Sequence, residues 1–429
     1  MGAMAATPAL SPKADACPPR YRPRNPRLSS LYQLLESQYE SVKSVWEDRF
    51  ERRYGFWRGL YDTAVARYFD CGLFESGFAR VKCTKCPREF LVAFSCKGRA
   101  LCPSCGAKRA AIFSEMLQHQ ILTDVPHAQW VFSIPKMLRP YFLYHRELLG
   151  DMARLAYETV REMMAAIVDE PDARPGMVAV IQTFASSLKW NPHIHSIVSR
   201  GVFKPDGTWI PVPYVDAHQA ELLFRHKLFA LLRDRGLISE QRIDLLLSWR
   251  HSGFSVHNHT TVYPNDTEGL HKLACYLMRA PVNLSRLRFD PGSGLLAYEP
   301  RSGHDAEDEP LPDPLEFLAR VLIHIPETNK HLVHFYGAYA NRVRSTLRNS
   351  QPPAEPAQTL PPRRALSKRW AELIYRIYDV DPLTCRCGAE MKIIAFITEP
   401  AAIRKILDHR DHKRPQQRAP PSPGEAIVH

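Results

Sequence analysis

At 429 residues the chain is long enough for two or three domains with separate cores. A formal charge of +12 and a pI near 9.2 favour a polyanionic partner, nucleic acid first, although a basic surface by itself does not separate nucleic acid from acidic membrane. No run of eighteen apolar residues occurs and Met1 to Arg20 lacks a secretory apolar core, so the expectation is a cytoplasmic, nucleoid-associated protein without a membrane partner.

Taken in chain order, residues 1–28 are rich in Pro, Ala and Arg without apolar periodicity and read as disordered. From Leu31 to Tyr68, the residues Leu31, Leu34, Leu35, Tyr39, Val42, Val45, Trp46 and Phe50 recur at helical spacing. A cysteine-rich module follows to about Lys108, so residues 29–110 are expected to form a helical, zinc-binding, DNA-binding domain. Residues 111–348 read as a mixed α/β domain that carries the chemistry, and the proline-rich stretch 349–364 as an extended linker. A small basic segment, 365–410, has a helix expected around Ala365–Tyr378, and 411–429 read as a disordered tail.

Within the cysteine-rich module, Cys83-x-x-Cys86 is followed after fifteen residues by Cys102-x-x-Cys105. Two short knuckles of this kind present four thiolates to one tetrahedral ion, so the four are expected to hold a structural Zn2+. Pro103 and Gly106 suit the tight turns, and Lys82, Lys85, Lys97, Lys108 and Arg109 surround the site with positive charge. Of these, Lys97, Lys108 and Arg109, with Lys189 further on, are the candidate DNA-contacting cations. Cys71 and Cys96 fit neither pair and read as packing residues, while Cys385-Arg386-Cys387-Gly388 is half a knuckle to which no ion is assigned.

The run Met177–Phe184 (MVAVIQTF), the turn-compatible Ala185–Pro192 and the run His193–Val198 (HIHSIV) read as a β-hairpin. Residues two apart in a strand share a face, so His193 and His195 project together while Ile194 points to the opposite, buried side. Two imidazoles then suit one metal ion, although a His-x-His pair among eighteen histidines is not diagnostic alone. Phe254–Val262 (FSVHNHTTV) reads as another strand in which His257 and His259 share a face. His257 is the expected third ligand and Gln182 a competing one, with positions left open for water and phosphate oxygens.

A helix is expected over Glu268–Arg279, with Asp266 and Thr267 as candidate caps and an apolar face of Leu270, Leu273, Ala274 and Leu277. At about 100° per residue Tyr276 falls off the centre of that face, toward Lys272 and Arg279. Its oxygen is placed to attack a backbone phosphate, with Arg279 offsetting charge, but the same position also suits a packing residue.

Several of these stretches resemble one family. Phe78-Ala79-Arg80-Val81-Lys82-Cys83, Phe94-Ser95-Cys96-Lys97 and Cys102-Pro103-Ser104-Cys105-Gly106-Ala107-Lys108-Arg109 resemble the zinc-binding module of rolling-circle transposases of the insertion sequence 91 family. Ile181-Gln182-Thr183-Phe184 with Asn191-Pro192-His193-Ile194-His195 resembles their nuclease signature, that of the histidine-hydrophobe-histidine (HUH) endonucleases. Leu273-Ala274-Cys275-Tyr276-Leu277 with Arg279, Pro281 and Arg286-Leu287 is similar to their tyrosine helix, and Phe317-Leu318-Ala319-Arg320, His324-Ile325-Pro326 and Tyr336-Gly337 to their downstream block.

The resemblance implies an α+β fold: an HUH-endonuclease-like antiparallel sheet with flanking helices, preceded by the zinc-binding domain. It implies metal binding by His193 and His195, with Mg2+ or Mn2+ as the catalytic ion, and a 5′-phosphotyrosine at Tyr276. The implied partners are the transposon ends, single-stranded or hairpin, and target DNA. Many members carry a second tyrosine four residues earlier, where this chain has Lys272, so a two-tyrosine mechanism requires Tyr263, Tyr336 or Tyr339 at the site. A replication initiator or relaxase would use the same chemistry, a zinc-dependent DNA-binding regulator would use none, and Lys272 and the half-knuckle also fit an inactive element remnant.

Overall fold

The computed structural model describes residues 25–212, 214–299, 313–344, 385 and 387–412. They form two compact units: residues 25–73 with 94–344 make the larger, and 74–93 with 385 and 387–412 the smaller. The proline-rich linker, the helix expected around Ala365–Tyr378 and the expected disordered ends before residue 25 and after residue 412 lie outside the described residues. No helix among the described residues is long and apolar enough to cross a membrane.

The larger unit is a mixture of helices and antiparallel sheet, an α+β fold as expected. Strands Val333–Gly337, Gly176–Phe184, Trp190–Ser199, His127–Ser133 and Ser255–His257 lie side by side in that order, and Thr261–Val262 also pairs with His127–Ser133. Every neighbouring pair is antiparallel. The expected hairpin forms: Ala185 donates its N–H to the Lys189 carbonyl at 3.0 Å, and the strands pair Gln182 with His193 and Val180 with His195.

Alternation along these strands makes both faces of the sheet apolar. Ile181, Ile194, Val198, Trp130 and Phe132 belong to one buried cluster, with Met152, Ala156 and Val160 of helix Leu148–Val168 and Phe224 and Leu228 of helix Ala217–Asp234. Val178, Val180 and Ile197 belong to a second, with Phe113 of helix Pro103–Met116 and Leu273, Ala274 and Leu277 of helix Thr267–Leu277. The helix expected over Glu268–Arg279 therefore forms, capped by Asp266, which accepts from the Gly269 N–H at 2.7 Å. Its expected apolar face is buried except for half-buried Leu270.

The helical N-terminal reading also holds, as helices Ser30–Ser44, Trp46–Arg49, Glu51–Tyr54 and Leu60–Phe69. Leu31, Leu34, Leu35, Tyr39, Val42, Trp46 and Phe50 are buried, and the first helix lies against helix Pro314–Leu322. From that last helix, buried Arg320 pairs with Glu316 at 2.8 Å and donates to the Ser187 carbonyl in the hairpin turn at 3.3 Å. His324, also buried, contacts the Leu188 carbonyl at 2.9 Å and the Thr183 hydroxyl at 3.0 Å. At the far end of the sheet Gly176 is obligatory, since a Cβ there would stand 2.6 Å from the buried ring of Tyr339. The Tyr339 hydroxyl meets His127 Nε2 at 2.6 Å.

Two expectations need correction. Phe254–Val262 is not one strand but two, Ser255–His257 and Thr261–Val262, because Asn258 leaves the ladder and donates to the Val215 carbonyl at 2.8 Å. Residues 29–110 divide between the two units, and the described residues of 365–410, namely 385 and 387–410, group with 74–93. Strand Phe78–Cys83 is the middle of a three-stranded sheet between Glu89–Ala93 and Met391–Ile397, the latter antiparallel with Phe78 opposite Ile397 and Cys83 opposite Met391. Helix Pro400–His412 packs against Phe74–Ser76 through Ile403, Ile406 and Leu407.

Burial of His127 and His324 disfavours their charged forms, lowering them to about 4 and about 3. As pH falls below about 6.5 the unfolded chain takes up protons that the folded histidines refuse until near 4, so stability declines across that window. Urea unfolding between pH 7 and 5 should show this decline, and His127→Gln should reduce its slope by roughly 1 kcal/mol per pH unit. An unchanged slope would mean that His127 is charged inside the fold.

Candidate active site and cysteine clusters

His193 and His195 stand on the sheet face that meets helix Thr267–Leu277, as expected from the two-residue repeat. The Nδ1–H of His193 donates to the Asn191 carbonyl at 2.7 Å, which leaves its Nε2 with a free lone pair. That Nε2 lies 3.0 Å from Nε2 of His195. Two nitrogens about 2.1 Å from one ion, at roughly a right angle, are about 3.0 Å apart, so the two rings fit a shared metal. Burial, with Arg279 nearby, lowers His193 to about 4 and His195 to about 2, so both remain neutral as ligands must. The side-chain amide of Gln129 lies 3.5 Å from Nδ1 of His195 and, with its oxygen turned inward, would hold that nitrogen as donor. Nothing in the alternating run around Gln129 signals this role.

His257 does not join the pair. Val131 lies between His195 and His257 in the ladder, which sets the two histidines two strand spacings apart, about 10 Å at Cα, and the side chain of His257 is exposed. Among the described residues, no third His, Cys, Asp or Glu brings a ligand atom within 4.8 Å of both imidazoles. Gln182 has a different task from ligation. Its amide nitrogen donates to the carbonyls of Tyr276 at 3.2 Å and Leu277 at 2.8 Å, closing the C-terminal end of the tyrosine helix, and its oxygen accepts from Arg279 Nε at 3.2 Å.

Tyr276 is half-buried, its ring 5.1 Å from that of His195 at 80°, with the Arg279 guanidinium 4.6 Å over its face. The three other candidate tyrosines are engaged elsewhere or exposed. Tyr336 stacks on Tyr157 at 4.9 Å, Tyr339 is buried against His127, and Tyr263 is exposed. Lys272 projects outward and pairs with Glu268 at 2.7 Å. Beside Gln182 and Arg279 opens a cleft of about 600 Å³, lined by Arg99, Arg109, Arg146 and Lys330 among others. Of the cations expected to contact DNA, Arg109 lies in this cleft, Lys108 is half-buried on the same helix, and Lys97 and Lys189 are exposed.

The four cysteines expected around one ion divide between two clusters. Cys102 and Cys105 join Cys71 and Cys96, and Cys83 and Cys86 join Cys385 and Cys387. In the first cluster Cys71 Sγ lies 3.7 Å from both Cys102 and Cys105, and Cys96 lies 3.4 Å from Cys105. Backbone amides of Cys96 and Gly98 donate to Cys71 and Cys96 sulfurs, each at 3.3 Å. Cys71 and Cys96 are thus ligand-grade thiols rather than packing residues. Their spacing in the chain, 24 residues between them, carries no knuckle signal.

Gln182→Leu leaves the Tyr276 and Leu277 carbonyls without this donor, and a loss of about 1–3 kcal/mol is expected from denaturant melts. Unchanged stability would show that the helix end does not depend on Gln182.

Residues 176–346 match the family described as "Putative transposase", and residues 42–134 match the "Transposase zinc-binding domain". The chain is similar to the "Transposase for insertion sequence element IS801" of Pseudomonas savastanoi pv. phaseolicola, 28% identical over 91% of this chain and 94% of that protein. It is also similar to "Putative transposase y4qJ" of Sinorhizobium fredii (strain NBRC 101917 / NGR234), 24% identical over 61% of this chain and 70% of the relative. No solved structure matches. The first segment contains the paired histidines and Tyr276, and the second contains all of Cys71, Cys96, Cys102 and Cys105, the thiolate set that zinc requires. Both matched segments and the similarity to the IS801 transposase support a transposase of the insertion sequence 91 type with a zinc-binding domain.

Proposed function

We propose that this transposase cuts one strand at its element ends by attack of Tyr276 and transfers that strand to a target, in a rolling-circle reaction of the HUH type. The observation that carries the reading is the pair of neutral imidazoles, Nε2 to Nε2 at 3.0 Å, with the Tyr276 ring against His195.

The phenolic oxygen of Tyr276 forms a bond to phosphorus as the bond to the 3′ oxygen breaks. The freed 3′ oxygen leaves as a hydroxyl, and the 5′-phosphate remains on tyrosine, where its bond energy permits rejoining without ATP. A divalent ion at His193 and His195, Mg2+ or Mn2+, would supply polarisation of the phosphoryl oxygen. Arg279, held by Gln182, offsets charge on the phosphate and keeps the Tyr276 ring in place. With Lys272 paired outward and Tyr336 and Tyr339 engaged in packing, each phosphotyrosine is resolved by a 3′-hydroxyl before the next cut. The cleft carrying Arg99, Arg109 and Arg146 suits the phosphates of a single-stranded or hairpin end, with Lys97, Lys108 and Lys189 as further contacts.

The test incubates the full chain with a labelled single-stranded element end and Mg2+ or Mn2+, and looks for a covalent adduct. Wild type should form it, Tyr276→Phe should form none, and His193→Ala should reduce its rate by about 100-fold or more. An adduct that survives Tyr276→Phe would assign another nucleophile; tight binding with no adduct in wild type would make the chain a DNA-binding regulator or an inactive remnant.

A further inference from the structure

We infer that Cys83, Cys86, Cys385 and Cys387 hold a second zinc ion, which fastens the C-terminal strand and helix to the strand pair of residues 78–93. The four Sγ atoms all lie within 4.8 Å of one another, with Cys83 to Cys387 and Cys86 to Cys385 each at 3.6 Å. Four thiolates about 2.3 Å from a tetrahedral zinc stand about 3.8 Å apart, whereas a disulfide requires about 2.05 Å. The sulfurs are spaced for an ion rather than for a bond.

The backbone around them is arranged as a pair of knuckles. Amides of Lys85 and Cys86 donate to Cys83 Sγ, both at 3.4 Å, and Arg88 Nη1 lies 3.8 Å from Cys385 Sγ. Across the site, Gly388 donates to the Cys385 carbonyl at 2.8 Å and Cys385 to the Ala389 carbonyl at 2.9 Å, a turn that Gly388 closes at φ +75°. Such N–H and guanidinium donors stabilise thiolate, the form that binds metal.

Two independent features support the ion. The zinc-binding segment 42–134 already completes one four-thiolate site from Cys71, Cys96, Cys102 and Cys105, so Cys83 and Cys86 reach four ligands only through residues outside both matched segments. Apolar burial in the smaller unit is also sparse. Among the described residues it consists of Val81, Cys83, Cys385, Ala389 and Met391 in one cluster, Phe78, Leu91 and Ile403 in another, and Ala79. A three-stranded sheet and one helix with so little core is the size of scaffold that needs a metal or cross-link. The strands it joins are 304 residues apart in the chain at Cys83 and Cys387, where loop closure is costly and a clip is most effective.

Elemental analysis of the full-length protein, purified with zinc and without chelator, tests the inference. Wild type should carry two zinc ions per chain, Cys385→Ser/Cys387→Ser one, and Cys102→Ser/Cys105→Ser one. Thiol alkylation read by mass spectrometry needs no variant: Cys83, Cys86, Cys385 and Cys387 should be protected in zinc-loaded wild type and react together on chelation. A single zinc unaffected by Cys385→Ser/Cys387→Ser, iron in place of zinc, or full alkylation of Cys385 and Cys387 in the zinc-loaded protein would overturn it.

Discussion

The pairing of strand Gly176–Phe184 with strand Trp190–Ser199 is the constraint on which the rest of the larger unit depends. Its register sets Gln182 opposite His193 and Val180 opposite His195, so one sheet face carries both imidazoles and the amide that receives the tyrosine helix. A slip of strand Trp190–Ser199 by one residue would turn Ile194 to that face and bury the histidines against helix Leu148–Val168. The five-residue turn that fixes this register is held from outside, by Arg320 on the Ser187 carbonyl and His324 on the Leu188 carbonyl. The downstream block, far from the histidines in sequence, therefore contributes to their placement by tying the hairpin turn.

Around the two facing imidazoles, several polar groups serve to position their neighbours. His193 and His195 are kept neutral by burial, and Asn191 orients the first of them. Gln182 satisfies the carbonyls at the end of the tyrosine helix and steers Arg279 at once, so the distance between sheet and helix is set by hydrogen bonds rather than by apolar contact alone. Buried polar links of this kind are directional, and they resist the small sliding that an apolar interface tolerates.

Cysteine geometry divides the N-terminal half differently from its sequence spacing. Two knuckles that look like one site in the chain belong to different units, each grouped with two cysteines that belong to neither. Short Cys-x-x-Cys repeats report that a pair of thiolates can share an ion, because the intervening turn is local. They carry no information about which other pair shares it.

Much of the local arrangement at the candidate site was legible in the sequence because it follows from periodicity. The two-residue repeat placed His193 and His195 together and Ile194 opposite, the helical repeat placed Leu273, Ala274 and Leu277 inward and Tyr276 at the edge, and Asp266 announced the cap. Those are consequences of backbone geometry within a few residues. Tertiary structure alone decided what long-range pairing determines. His257 fell two strands from His195 and was left exposed, and the anticipated strand around it broke where Asn258 found Val215. Gln182 became a helix anchor, and Cys71, Cys96, Cys385 and Cys387 became parts of four-thiolate sets, because their partners are brought near by folds of the chain that no local pattern encodes.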